Sequence, residues 1–419
     1  MPKHLFYASL QVFKNIKIGV FISLVNILIQ GVNLLFHNII ARNLGFVNFG
    51  NFGILLNDYT IFCAIADFGM LALILAYFGK RATEGSLFTH ILQLRILMSA
   101  TTAALMIGFS LLFRRNHDIL FGELILVLGL FFQHSFFDWY FISGKFWKKL
   151  LISKVLHTIS LALTMEICLC LFNFNTIHSI AFAMVVSAVP TFSFGISQAF
   201  SIKTLKLGRH FWLFSRLMIK SAFPYALTNI ASYAYLPVGL YAVSLAASPA
   251  FLGAYTFAHR ITLLASSLMV YFIYSSVLTL HQSDSSKIRI LDQGIFTLFV
   301  TIALIPFWAA PNWVLKIIFF AAPWTEDSLL TSAYCLRILS FSLVFQAIRL
   351  GMISTLLKEK RTLTYGFFIT VGGVLNIASC VVGVKVFTPD KIPILTLSGD
   401  MFLTFFLICY FIKNRRIGW

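Results

Sequence analysis

Apolar stretches, each about long enough to cross a bilayer, recur from Val20 to Ile412, and the lysines and arginines collect in every second connecting loop. Backbone polar groups in lipid must be satisfied within their own segment, so repeated spans of this kind are helices. The pattern predicts an all-α polytopic membrane protein of about 12 transmembrane helices, arranged as two six-helix halves around a central cavity. The spans fall near 19–40, 50–78, 90–113, 119–141, 151–173, 176–197, 222–246, 251–279, 290–308, 329–354, 363–385 and 392–412. Within the second, Asp67-Phe68-Gly69 is expected to break or bend the helix. The first span lacks a small-residue cleavage site and is longer than the apolar core of a signal peptide, so it reads as a retained helix.

Only 11% of the 419 residues are charged, against about a quarter in soluble domains, which leaves no room for a separate water-soluble domain. The net charge of +18 does not mark a nucleic-acid binder, because the cations lie in loops beside spans rather than on a basic face interleaved with aromatics. Of the 32 lysines and arginines, 22 fall in loops on one side and 6 on the other. Arg95, Arg260, Arg337 and Arg349 lie in spans or at their ends. The positive-inside rule puts both termini in the cytoplasm, as an even number of spans requires.

All six cysteines sit in apolar stretches and are expected to be free, buried thiols. No P-loop and no cluster with metal-ligand spacing occurs, so neither a cofactor nor a metal is expected. The basic segment 201–220 divides the chain into an N-terminal half, 1–200, and a C-terminal half, 221–419. Phe49-Gly50-Asn51-Phe52-Gly53 and Leu252-Gly253-Ala254-Tyr255-Thr256 carry the same apolar-Gly-x-aromatic-small pattern at the start of a helix in each half. Internal repeats in secondary transporters put substrate at the interface of the halves, near the midplane.

Three stretches carry a family resemblance. The first is Ala41-Arg42-Asn43-Leu44-Gly45 with Phe49-Gly50 and Asp67-Phe68-Gly69. The second is Leu252-Gly253-Ala254-Tyr255-Thr256-Phe257-Ala258-His259-Arg260-Ile261. The third runs from Ala310-Pro311-Asn312-Trp313 through Lys316-Ile317-Ile318 to Leu336-Arg337-Ile338-Leu339. In order and spacing the chain resembles the Wzx-type O-antigen and polysaccharide flippases of the multidrug/oligosaccharidyl-lipid/polysaccharide exporter superfamily.

The resemblance implies translocation of an undecaprenyl-pyrophosphate-linked oligosaccharide from the cytoplasmic to the periplasmic leaflet of a bacterial inner membrane, by alternating access and without enzymatic chemistry. It implies membrane lipids, an O-antigen polymerase and a chain-length regulator as partners, and no nucleic acid. Two positions depart from the family's pattern. Phe132-Gln133 is followed by His134 rather than Gly. The offset of 203 residues that aligns Leu252 with Phe49 aligns Arg260 with Asn57, so a basic cavity is less symmetric here than in the lipid II flippases.

Ionisable groups inside spans are costly and mark pathways. Arg260, well inside the eighth span, is the leading candidate for the pyrophosphate, which its planar fork of donors suits; the resemblance turns it toward the cavity. Asp58 and Asp67 are candidates to pair with Arg260 or to take a coupling cation, and Glu166, near the middle of the fifth span, is expected to be buried and partnered. Arg337 is a candidate for the cavity wall and Arg42 for the outer rim, whereas Arg349 is expected to snorkel toward the inner headgroups and Asp138 to lie at the interface beside Lys145 and Lys148. A cation-coupled drug exporter of the same superfamily would favour acids over these arginines. A membrane-embedded polymerase or glycosyltransferase would require a larger outer loop than Trp308–Ser328.

Overall fold

The computed structural model describes residues 3–83, 85–114, 116–133, 135–168, 176–200, 211–235, 237–280, 297–298, 300–358, 361–386 and 388–413. These residues are helical, with no strand among them, and every span expected from the sequence contains described helix. The first helix, α1, runs from Lys3 to Asp67 and bends at Gly45, whose φ of 72° and ψ of 176° lie where a side chain is strained. The first and second spans, expected as separate helices, are therefore one kinked run. The anticipated break after Asp67 is present: Phe68 (φ 45°) and Gly69 (φ 66°) are left-handed, and α2 resumes at Met70 and ends at Tyr77.

There follow α3 (Gly85–Phe113), α4 (His117–Gly129), α5 (Asp138–Ser143), α6 (Trp147–Glu166), α7 (Ile177–Phe200), α8 (Phe211–Tyr235), α9 (Val238–Ala246) and α10 (Pro249–Leu280). After α10 come α11 (Ile305–Ala309), α12 (Pro311–Ile318), α13 (Glu326–Lys358), α14 (Thr362–Val386) and α15 (Ile392–Lys413). Among the described residues six helices are individually long and apolar enough to cross a membrane. The pair Val300–Ala309 and Pro311–Ile318, bent by 97°, is apolar enough to count as a seventh when taken together, as a broken span or a re-entrant loop. Shorter pieces result from breaks: α4 has only 13 residues and stops before the turns that precede α5. Part of the predicted linker, 201–210, lies outside the described residues.

The helices group into two compact units. One comprises 39–237 with 362–373; the other comprises 1–38, 238–361 and 374–419. The core of the first is strongly aromatic, with Phe88, Phe136, Phe137, Trp139, Tyr140 and Phe141 buried together with Met70, Leu73 and Ile74 of α2. Here Gly69 meets α8: a Cβ built on it would stand 2.5 Å from the backbone of Tyr225 and Ala226. Gly69→Ala is expected to destabilise by about 1–3 kcal/mol, since it overpacks this contact and places a side chain at positive φ. A thermal melt in detergent checks this, and an unchanged midpoint would show that α8 yields freely.

In the second unit, buried Asn38 near the kink of α1 donates through its side-chain amide to the Ile318 carbonyl and accepts from the Ala321 N–H at 3.3 Å. Both ends of one amide thus hold the turn after α12. The Tyr255 hydroxyl of α10 meets Thr396 of α15 at 3.5 Å. The free cysteines correct one expectation: Cys168, Cys335 and Cys380 are buried, but Cys409 is exposed and Cys63 only partly covered. Cys170 lies outside the described residues.

Candidate functional site

The spans carry two kinds of ionisable group. The first kind is paired and buried. At the end of α3 the chain turns, and Arg114 folds back so that its Nε donates to Glu123 Oε1 of α4 at 2.8 Å while its Nη2 pairs with Asp58 of α1. Asp58 and Glu123 are buried, and the guanidinium lies 5.1 Å from the Phe109 ring centre. One arginine thus serves two carboxylates. In the same unit Arg95 of α3 donates to Asp67 at 2.8 Å and stacks over the buried Phe136 ring, 5.2 Å from its centre. Lys154 reaches Asp138 at 2.6 Å.

In the other unit Arg349 of α13 binds Asp400 of α15, side chain to side chain at 2.6 Å and to its carbonyl at 3.2 Å. These pairings correct several expectations. Asp58 and Asp67, candidates to pair with Arg260 or to take a coupling cation, hold Arg114 and Arg95. Arg349 does not snorkel; a carboxylate one helix away satisfies it inside the protein. Asp138 takes Lys154, one helix on, rather than Lys145 or Lys148.

The second kind, set among neutral polar side chains, is represented by Arg260. It is half-buried on α10 and lies within electrostatic reach of His37 of α1 and Tyr241 of α9, so three helices of one unit converge on it. His37 is held in place by a 2.7 Å contact from its Nδ1 to the Asn33 carbonyl one turn earlier on α1. His259, next to Arg260, is buried and stacks on Tyr255 with ring centres 6.0 Å apart. A guanidinium flanked by an imidazole and a phenol can receive a polyanion: the arginine supplies charge and paired donors, and the neighbours supply further polar contacts.

The remaining predicted residues are dispersed. Arg337 is exposed on α13, and its Nε donates to the Trp308 carbonyl at 3.1 Å; the Trp308 ring stacks on Phe341 at 4.7 Å. Arg42 is exposed. Glu166, expected to be buried, is exposed at the last turn of α6. Sequence reading missed Glu123 and Asp400, and it assigned Arg114 to an outer loop. The available signal was that Glu123 and Asp400 are lone acids in otherwise apolar runs, each needing a cation.

The polysaccharide biosynthesis protein family matches residues 16–278 of the chain. No curated protein matches. Among solved structures, an inward-facing multidrug resistance MATE family transporter of the MOP superfamily aligns with a TM-score of 0.75 at 14% identity, over 93% of this chain and 94% of its own. The lipid II flippase MurJ in an inward closed conformation also gives 0.75 at 14% identity, over 94% of this chain and 87% of its own. A MOP superfamily transporter from Pyrococcus furiosus, described by a binding pocket of reverse polarity, aligns at 0.59 with 13% identity, over 96% of each chain. At these identities the likeness establishes the fold alone, an all-helical multi-pass membrane bundle in two halves.

Proposed function

The chain belongs to the polysaccharide biosynthesis protein family, and from that premise we propose that it is a flippase for an undecaprenyl-pyrophosphate-linked oligosaccharide, an O-antigen or capsular repeat unit. The observation that carries this reading is the conjunction of that family with a transporter fold: a polysaccharide pathway needs its lipid-linked units moved across a bilayer, and this fold is built for moving cargo rather than for catalysis. The sugar-pyrophosphate head is taken up inside the bundle, whose halves 1–200 and 221–419 are joined by 201–220. The lipid tail stays in the bilayer, and alternating access delivers the head outward.

Arg260 takes the pyrophosphate, and the exposed Arg42 and Arg337 offer further contacts along the route. Asp58 and Asp67 act on the pathway through the arginines they hold, and Glu166, exposed on α6, offers it a carboxylate. The protein sits in a bacterial inner membrane with both termini cytoplasmic, as the basic loops support. An O-antigen polymerase and a chain-length regulator act on the exported units. A drug exporter is the weaker reading, because Arg260, His37 and Tyr241 make a centre suited to anions.

Deleting the protein from its host is expected to leave unpolymerised lipid-linked units accessible only from the cytoplasmic face. Periodate labelling of glycans in right-side-out and inverted membrane vesicles reads this directly. Single units exported normally, with only polymerisation lost, would overturn the proposal in favour of a polymerase.

A further inference from the structure

The first turns of α8 have two unlike faces. Phe214, Ser215, Met218 and Ala222 turn into the protein, and Met218 and Ala222 are part of the aromatic core. On the opposite face Trp212 is 74% exposed, Leu213 60% and Leu217 57%, and Arg216 and Lys220 are exposed among them. Residues four apart stack along one side of a helix, so Trp212, Arg216 and Lys220 form a single column flanked by the two leucines. No acidic residue occurs in α8, and among the described residues neither cation has an ion-pair partner. The sequence just before it adds Lys203, Lys206 and Arg209.

A bulky indole and two leucines beside unneutralised cations form the pattern of a helix seated at a charged lipid–water boundary. The indole lies at the depth of the headgroups, the leucines reach the acyl chains, and the cations need an anionic counterpart. A neutral headgroup satisfies the aromatic but not the two positive charges, and a soluble acidic partner would leave the leucines on the wrong side of the boundary.

We propose that the column Trp212–Arg216–Lys220 of α8 binds the headgroup of an anionic phospholipid. This contact requires only that the chain sits in a membrane, so it stands apart from the cargo and from the direction of transport.

The test uses the purified full-length protein in vesicles containing brominated phosphatidylglycerol or, at equal mole fraction, brominated phosphatidylcholine. The Trp212 signal is the difference between the wild-type protein and Trp212→Phe. Quenching by the anionic lipid is expected to reach half its maximum at a concentration on the order of 10-fold lower than by the neutral lipid, and the preference is expected to shrink at high salt. Arg216→Gln with Lys220→Gln should bring the two curves together, whereas Arg216→Lys with Lys220→Arg should keep them apart, which separates lost charge from lost folding. Equal quenching by both lipids in the wild type, or an undiminished preference in the double glutamine variant, overturns the proposal. So does a Trp212 that neither lipid quenches, the outcome if another protein covers this face.

Discussion

Arg114→Ala is expected to reduce the membrane-inserted protein to a small fraction of its normal level. The substitution leaves Asp58 and Glu123 buried beside each other with their shared guanidinium gone. Removing one partner of a buried ion pair costs about 3–5 kcal/mol, because the remaining charge has neither water nor a counter-ion. Here two carboxylates are stranded, and like charges at close range add repulsion. Against a total stability of about 5–15 kcal/mol, that loss is decisive. Replacing all three together, as Asp58→Asn, Glu123→Gln and Arg114→Met, should restore much of the protein, since no buried charge then remains. In-gel fluorescence of a fusion and its melting point in detergent provide the readout. Normal abundance and melting of Arg114→Ala would show that the triad contributes little to folding.

The second large effect differs in kind. Arg260→Ala should abolish surface-glycan display while protein abundance and melting stay near normal. Its surroundings include a fixed histidine and a tyrosine at a half-buried position. If it holds the pyrophosphate, the loss is of charged, paired hydrogen bonds worth about 1.5–3 kcal/mol each, on the order of 100-fold or more in transport. Arg260→Lys keeps the charge but not the fork, and should fall between the two. Display measured in complemented cells, with membrane protein quantified alongside, decides the matter. Normal display with Arg260→Ala would remove Arg260 from the route. Loss of display together with loss of the protein would assign it a structural role.

The contrast between these two arginines shows what the sequence conveyed and what it withheld. Helix existence was legible because a bilayer imposes one length and one polarity on every span, and the Asp67-Phe68-Gly69 break was legible because glycine and a short acid mark a chain reversal. The kink at Gly45 was harder to read: a glycine between two apolar spans looks like a loop, yet the helix continues through it at one unusual pair of angles. Partners across helices were not legible. Arg114 and Glu123 are nine positions apart, and Asp58 is a further helix away, so only the turn after α3 brings them together. Arg349 and Asp400 meet across α13 and α15 in the same way. Spacing in sequence carries no information on such contacts, whereas a lone acid in an apolar run does predict that some cation must come to it.

The two compact units also set an order of events during synthesis. Residues 39–237 lack their last component, 362–373, until most of the chain has been made, and residues 1–38 wait as long for the body they join. A ribosome that has released 361 residues has therefore completed neither unit. For much of translation the early helices reside in the membrane with unfinished surfaces, and insertion machinery or neighbouring lipids must shelter them. A chain stopped before residue 362 is accordingly expected to be degraded as a whole rather than to leave one stable unit behind.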